Sequence, residues 1–138
     1  MRHLVLALAC NILACISYSQ LSTPAYGGNK MAWVGERIGL TDVTIKYNRP
    51  GVKGREGKIW GALVKEGFFK PDFSNTAATP WRAGANENTT ISFSNDVKIE
   101  GKELPAGTYG LFIAYAPNES TVIFSKNSTS WGSYFYDE

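Results

Sequence analysis

The stretch WRAGANENTTISFSNDVKIEGKELPAGTYGLFIA, residues 81–114, decides the fold of this chain. After a polar opening, Ile91 and Phe93 alternate with polar side chains, which is the two-residue period of a half-buried strand. Turn signals follow at Asn95-Asp96, Glu100-Gly101 and Leu104–Gly107. Short strands separated by such turns predict an all-β domain, built as an antiparallel β-sandwich.

The end of this stretch is apolar on nearly both faces. Tyr109, Leu111 and Ile113 share one face of the predicted strand, and Phe112 lies on the other. A strand of this kind is typical of the centre of a sheet that is covered by a layer on each side. We therefore predict a central strand at residues 108–113.

Further strands are predicted on both sides of this stretch, to a total of roughly seven or eight. They are Ala32–Ile38 at an edge, TDVTIKYNRP at residues 41–50, Ile59–Val64, Thr121–Ser125 and Trp131–Tyr136. The apolar run Ile59–Val64 is interpreted as a buried strand with Trp60 in the core. No segment after the first 20 residues shows helical periodicity over three turns.

The chain begins with the features of a signal peptide. Arg2 precedes the apolar run LVLALACNILACI, which is too short to span a bilayer. Ser17 and Ser19 have the spacing of a signal-peptidase site, so we predict cleavage after Ser19. An alternative is lipoprotein processing, which would leave Cys15 as a lipid anchor. Both routes predict an exported protein, periplasmic or secreted, without a transmembrane segment.

The predicted organisation is a single β domain behind this leader. The signal peptide takes residues 1–19, a polar lead-in takes 20–38, and the β domain takes 39–138. The chain stops directly after a predicted aromatic strand, with no turn or polar tail. Because domains seldom end on an exposed apolar edge, this ending predicts a domain that is incomplete at its C-terminus.

Cleavage of the leader would restrict the chemistry of the domain. The only histidine, His3, and the only cysteines, Cys10 and Cys15, all precede the cleavage point. Catalysis by His or Cys is then excluded, and the sequence predicts no metal site and no cofactor. The net charge falls from +2 to +1 when Arg2 is removed. So small a charge gives no electrostatic argument for a nucleic-acid partner.

The polar opening WRAGANEN is the first candidate ligand site. Its residues of interest are Trp81, Arg82, Asn86, Glu87 and Asn88. A guanidinium, a carboxylate and amides directly before a strand can bind a polar small molecule such as a sugar or a carboxylate. The alternative is an internal role, in which Arg82 pairs with Glu87 and fixes the loop.

A basic loop is the second candidate. Arg49, Lys53 and Arg55 would meet an anionic ligand or an anionic membrane surface. The alternative is a solvated hairpin tip, in which neighbours such as Glu56 balance the charge.

Aromatic and acidic residues give two further candidates. Trp81 and Trp131 flank polar loops and would offer flat surfaces on which sugars stack, whereas core packing is the usual role of tryptophan. Glu87 and Asp96 bracket a strand, but a glycosidase needs two acids about 5–10 Å apart across a cleft. Nothing in the sequence indicates a cleft.

Four separated segments together carry a family resemblance. They are GLTDVTIKYNRPGVKGR at residues 39–55, KIWGALV at 58–64, residues 81–114, and TVIFSKNSTSWGSYFYDE at 121–138. In this order they resemble DUF2911, a domain family of unknown function from exported proteins of the Bacteroidota type. The resemblance implies an exported, mainly β protein and no particular reaction. Relatives continue past the YDE equivalent, and many have a shorter linker where this chain has the loop Lys65–Pro80.

The leading hypothesis is therefore a non-catalytic binding or structural module of the cell envelope, with glycans among the candidate ligands. In a binding module, the long loop Lys65–Pro80 would be a lid or a rim of the site. The alternative is an envelope hydrolase that works through carboxylates such as Glu87. The sequence gives no basis for an oligomeric state.

Overall fold

The computed structural model describes residues 28–70 and 78–136. The predicted signal peptide, its cleavage after Ser19 and the alternative anchor at Cys15 lie outside these residues. Residues 71–77, in the middle of the long loop, also lie outside the described residues, as do the last two residues of the chain.

Seven strands and a 3₁₀ helix lie within the described residues. The strands are β1 (Lys30–Ile38), β2 (Thr41–Arg49), β3 (Thr90–Phe93), β4 (Val97–Ile99), β5 (Lys102–Leu104), β6 (Gly107–Ala114) and β7 (Thr121–Ser125), and the 3₁₀ helix is Gly132–Phe135. Five strands form one sheet in the order β1-β2-β3-β6-β7, and β4 and β5 form a separate hairpin. All strand pairs are antiparallel. The prediction of an all-β fold of short antiparallel strands is confirmed.

The core lies on one side of the five-stranded sheet, which we call the apolar face. Strand register places Ile45, Ile91 and Tyr109 in one row, because directly paired residues point to the same side. Ile91, Phe93 and Tyr109 are buried there. The β4–β5 hairpin forms the second layer and packs Val97, Ile99 and Leu104 against this cluster. The two layers are thus unequal, with five strands against two.

A tyrosine ties the turn before β6 to this core. The hydroxyl of Tyr109 donates a hydrogen bond of 2.7 Å to the carbonyl oxygen of Pro105, four residues earlier. The phenol ring packs at 6.4 Å from the ring of Phe93. Its polar end is therefore satisfied while the ring adds to the apolar layer.

The opposite side of the sheet, which we call the polar face, differs between its two ends. Toward β1, register aligns Trp33, Lys46 and Thr90 in one row on this face. Toward β6, Phe112 is only 1% exposed, and its ring lies 5.3 Å from that of Tyr136. The C-terminal segment therefore covers the polar face at β6 and leaves it open over β2 and β3.

Several predicted elements are confirmed. The edge strand, the strand at residues 41–50 and the strand Thr121–Ser125 are all present, and residues 108–113 form a central strand between β3 and β7. Glu100 and Gly101 have φ of 50° and 80° and close the β4–β5 hairpin. Residues 30–38 of the predicted lead-in form β1. Within the described residues there is no helix with the length and hydropathy needed to cross a membrane.

Two predicted strands are wrong. The segment Ile59–Val64 is a turn in which the amides of Leu63 and Val64 both bond to the carbonyl of Ile59. Gly61, with φ of 79°, lets the chain reverse there, so an apolar run of strand length closes on itself. Val64 is buried, but Trp60 is 56% exposed and does not belong to the core.

The second wrong prediction is the terminal aromatic strand. Residues 132–135 form the 3₁₀ helix instead. Gly132 has φ of 59°, which an extended strand does not accept, and the chain turns at this residue. The turn directs the aromatic residues that follow onto the polar face, where Tyr136 packs on Phe112.

Candidate functional site

The loop at residues 81–88, which we call the WRAGANEN loop, starts at the edge of an aromatic cluster. The backbone of Trp81 exchanges two hydrogen bonds with Ile113 of β6, at 3.0 and 2.8 Å. Its ring meets that of Trp60 edge-on at 5.5 Å, and Trp60 also lies 4.8 Å from Tyr115. Trp81 is thus half-buried among aromatic rings, with a packing role.

Arg82 holds the loop from within. Its Nη1 donates a hydrogen bond of 2.8 Å to the carbonyl oxygen of Asn86, and its guanidinium lies 5.1 Å from the ring centre of Tyr134. A Cβ at Gly132 would clash with the Arg82 guanidinium and force that side chain to move from its place over Tyr134. Arg82 forms no ion pair with Glu87, and the predicted pairing of these two residues is wrong.

The second half of the loop is bonded to three distant parts of the chain. Asn86 Oδ1 accepts from Asn29 at 3.2 Å, Glu87 Oε2 accepts from Asn48 at 2.9 Å, and Asn88 Nδ2 donates to Asn127 O at 3.3 Å and to Ser130 Oγ at 2.7 Å. Gly84 makes the close approach possible, because a Cβ there would lie 3.2 Å from the carbonyl oxygen of Asn48. The loop therefore joins the segment before β1, β2 and the loop after β7.

These contacts enclose a depression on the open part of the polar face, which we call the polar cavity. Its volume is about 1150 Å³. Its floor includes Lys46, Thr90 and Thr108, and its walls come from residues 86–88 and 128–130. The lining thus offers hydroxyls, amides, the ammonium groups of Lys30 and Lys46, and the Glu87 carboxylate to a ligand.

One wall of the polar cavity contains a polar atom without a partner. Asn88 is 7% exposed, and its Oδ1 is buried without a hydrogen bond. The amide cannot be turned over to relieve this, because the carbonyl of Asn127 needs the Nδ2 donor. An acceptor that stays buried without a donor costs about 1–3 kcal/mol.

The structure separates the predicted site residues into two groups. Asn86, Glu87 and Asn88 line the polar cavity, whereas Trp81 and Arg82 belong to the packing behind it. Sequence reasoning missed Lys46 and Thr90. Strand alternation placed each of them on the polar face of its own strand. They come together only because β2 pairs with β3, and the sequence does not show this pairing of distant segments.

The basic loop does not contribute to the polar cavity. Arg55 bonds to the carbonyl oxygens of Val52 and Gly51, at 2.9 and 2.8 Å, and so fixes its own turn. Lys53 is exposed with φ of 52°, and Arg49 is exposed at the end of β2.

The described residues contain no cluster of three or more His, Cys, Asp or Glu side chains that would hold a metal ion. Of the described residues lining the cavity, Glu87 is the one with a carboxylate. The arrangement can therefore offer hydrogen bonds, two ammonium groups and one carboxylate to a ligand.

Fold and cavity together define an all-β domain of two unequal antiparallel layers, with a polar cavity on the open side of the larger sheet. The chain belongs to the family described as protein of unknown function (DUF2911), whose model matches residues 29–138. The family indicated by the sequence motifs is thereby confirmed. No curated protein and no solved structure matches the chain.

Proposed function

We propose that this domain is a non-catalytic binding module whose ligand is a hydroxyl-rich small molecule, such as a glycan, held in the polar cavity. The observation that supports this most is the composition of that cavity. Side-chain hydroxyls and amides are both donors and acceptors, and they can match the alternating donor and acceptor sites of a sugar. The volume of about 1150 Å³ is somewhat above the roughly 300–1,000 Å³ of small-molecule pockets and leaves room for a ligand of that size.

A tryptophan beside the cavity supports the same ligand class. Trp33 is 69% exposed and pairs in register with Lys46, so both residues lie on the polar face. Met31, two residues earlier on the same face, lines the cavity. An exposed aromatic ring next to polar groups gives a ligand one stacking surface and several hydrogen bonds. Trp131 is 51% exposed and follows the lining residue Ser130, so it stays a candidate for this role beside Trp33, whereas Trp81 packs among aromatic rings.

The alternative of an envelope hydrolase has less support. Glycoside hydrolysis uses two carboxyl groups on opposite sides of the scissile bond. Among the described lining residues only Glu87 carries one, and it is already bonded to Asn48 at 2.9 Å. A carboxylate that fixes a wall is better placed to support a site than to transfer protons.

Replacing Lys46 by alanine is expected to weaken ligand binding about tenfold, because the variant loses a charge-assisted hydrogen bond from the cavity floor. Binding would first be found as a rise in melting temperature with panels of neutral glycans, acidic glycans and small anions, and then measured by calorimetry. A ligand at a hundredfold excess over its dissociation constant stabilises the fold by about 2.7 kcal/mol.

The matched control is Lys102→Ala on the exposed β4–β5 hairpin, which removes the same charge away from the cavity and should leave binding unchanged. Glu87→Gln keeps an acceptor for Asn48 and distinguishes a binding module from a hydrolase. It should retain affinity in a binding module and abolish turnover in a hydrolase. A panel in which no ligand raises the melting temperature of the unaltered protein would contradict the proposal.

We further propose that the module acts outside the cytoplasm, as a periplasmic or secreted protein. The support is the N-terminal sequence, where Arg2, the apolar run and Ser19 follow the order of a signal peptide. Protein purified from a producing bacterium should begin at Gln20 when its intact mass is measured. A diacylated Cys15 would establish the lipoprotein alternative, and an intact Met1 would contradict export.

A further inference from the structure

Strand β1 forms an open edge of the five-stranded sheet. It runs for nine residues, Lys30–Ile38, and pairs with β2 on one side only. No other strand among the described residues pairs with its second side. The backbone amides and carbonyls directed to that side can therefore pair with another strand.

This edge carries charged residues, but it lacks three other features that usually protect an open strand. Such edges are kept short or interrupted by proline or a bulge. In contrast, β1 contains no proline, and its nine pairs with β2 follow one register without interruption. It also exposes four large apolar side chains by more than half: Met31, Trp33, Val34 and Ile38.

The charged residues of β1 complement each other when the strand faces a second copy of itself. In an antiparallel pair related by a twofold axis perpendicular to the sheet, one residue faces its own copy. If that residue is Trp33, Lys30 lies directly opposite Glu36 of the other copy, and this ion pair occurs twice. The half-buried Ala32 and the exposed Val34 are then paired with each other. Opposite charges facing across an antiparallel pair stabilise it.

A neighbouring register lacks this complementarity. Centring the pair on Val34 places Ala32 opposite Glu36 and Lys30 opposite Ile38, so each charge faces an apolar side chain. The third charged residue, Arg37, is already engaged within its own chain, because Nε and Nη2 bond to the Asp42 carboxylate at 2.6 and 2.7 Å. Its guanidinium holds the pKa of Asp42 below the ordinary value through these hydrogen bonds. Lys30 also lines the polar cavity, and both Lys30 and Glu36 are exposed without an ion pair among the described residues.

We infer that this edge is a homodimer interface, in which two copies pair antiparallel through β1 with Trp33 at the twofold axis. The two five-stranded sheets join into one continuous sheet of ten strands. The Trp33 side chains meet on the polar face, and a polar cavity lies on each side of the axis. The inference rests on the edge and its charges, and it holds whether or not the cavity binds a ligand.

Charge exchange tests this interface and its register. The purified protein should elute with twice the mass of one chain in size-exclusion chromatography with light scattering. Lys30→Glu and Glu36→Lys each place like charges opposite each other twice per dimer. Each single variant should therefore raise the dimer dissociation constant by about tenfold or more. The double variant exchanges both charges, recreates both pairs and should restore the dimer.

The double variant makes the result specific to this register. Loss of the dimer in the singles without recovery in the double variant would overturn the Trp33-centred pairing, and a monomeric unaltered protein would overturn the interface itself. A cysteine at position 33 is an independent measurement, because Cβ atoms of facing residues are about 4.5–5.5 Å apart. Oxidation should cross-link Trp33→Cys into a dimer, whereas Thr121→Cys on the opposite edge of the sheet should remain uncrosslinked.

Discussion

Phe112→Ala is expected to lower the free energy of unfolding by about 3–5 kcal/mol, the usual cost of removing a fully buried phenylalanine. The side chain is 1% exposed and lies on the polar face of β6, where the C-terminal segment covers the sheet. Its ring packs against Tyr136 at 5.3 Å. Because few side chains among residues 28–70 and 78–136 are fully buried, the loss would be a large fraction of the roughly 5–15 kcal/mol that stabilise a typical domain.

Urea denaturation followed by tryptophan fluorescence measures this loss. Val122→Ala is the control, because Val122 lies on the adjacent strand β7 and is 50% exposed. It should change the free energy of unfolding by no more than about 0.5 kcal/mol. The loss of unfolding free energy in Phe112→Leu should lie between the losses in Phe112→Ala and Val122→Ala. This variant should stay folded even if Phe112→Ala does not. Equal effects of Phe112→Ala and Val122→Ala would show that the C-terminal segment does not cover β6.

Gly110→Ala is expected to cost about 1–3 kcal/mol, although alanine is among the smallest changes a glycine can undergo. A Cβ at this position would lie 2.5 Å from the carbonyl oxygen of Asn127 and 3.2 Å from Asn88 Nδ2. The backbone oxygen cannot rotate away, so the loop after β7 has to move. Such a movement would also break the bonds from Asn88 to Asn127 and Ser130 that form one wall of the polar cavity.

Gly51→Ala is the matched control, since its added Cβ would meet only the Lys53 side chain at 3.5 Å. It should leave both stability and ligand binding unchanged within about 0.5 kcal/mol. Denaturation measures stability, and backbone amide chemical shifts at residues 127–130 report the position of the loop. If the two alanine variants behave alike, the close approach of the loop to β6 is not a feature of the folded protein.

Elements that depend on local alternation were predictable from the sequence. The strand at residues 41–49 has an apolar and a polar face, and the alternation of side chains is enough to locate it. The turn at Ile59–Val64 was not predictable from the sequence, because a run of apolar residues does not distinguish a buried strand from a turn. A glycine at position 61 is compatible with a strand or a turn in the sequence, and only the folded structure shows the positive φ on which the turn depends.

The candidate site was predictable only in part, for a similar reason. Asn86, Glu87 and Asn88 are adjacent in sequence and were found as a polar cluster. Lys46 and Thr108 are cavity residues because β2, β3 and β6 lie side by side, and that order is set by packing between distant segments. The role of Arg82 likewise depends on Tyr134 and on the absence of a side chain at Gly132.

The bonds of the WRAGANEN loop also bear on the kinetics of folding. They join residues that are 57, 39 and 42 positions apart, at Asn29–Asn86, Asn48–Glu87 and Asn88–Ser130. Long chain closures are entropically costly, and contacts of this kind form slowly compared with hairpins such as β4–β5. The cavity walls would accordingly assemble late, after the hairpin has closed. A newly made chain would then become able to bind a ligand only when its most distant segments have met.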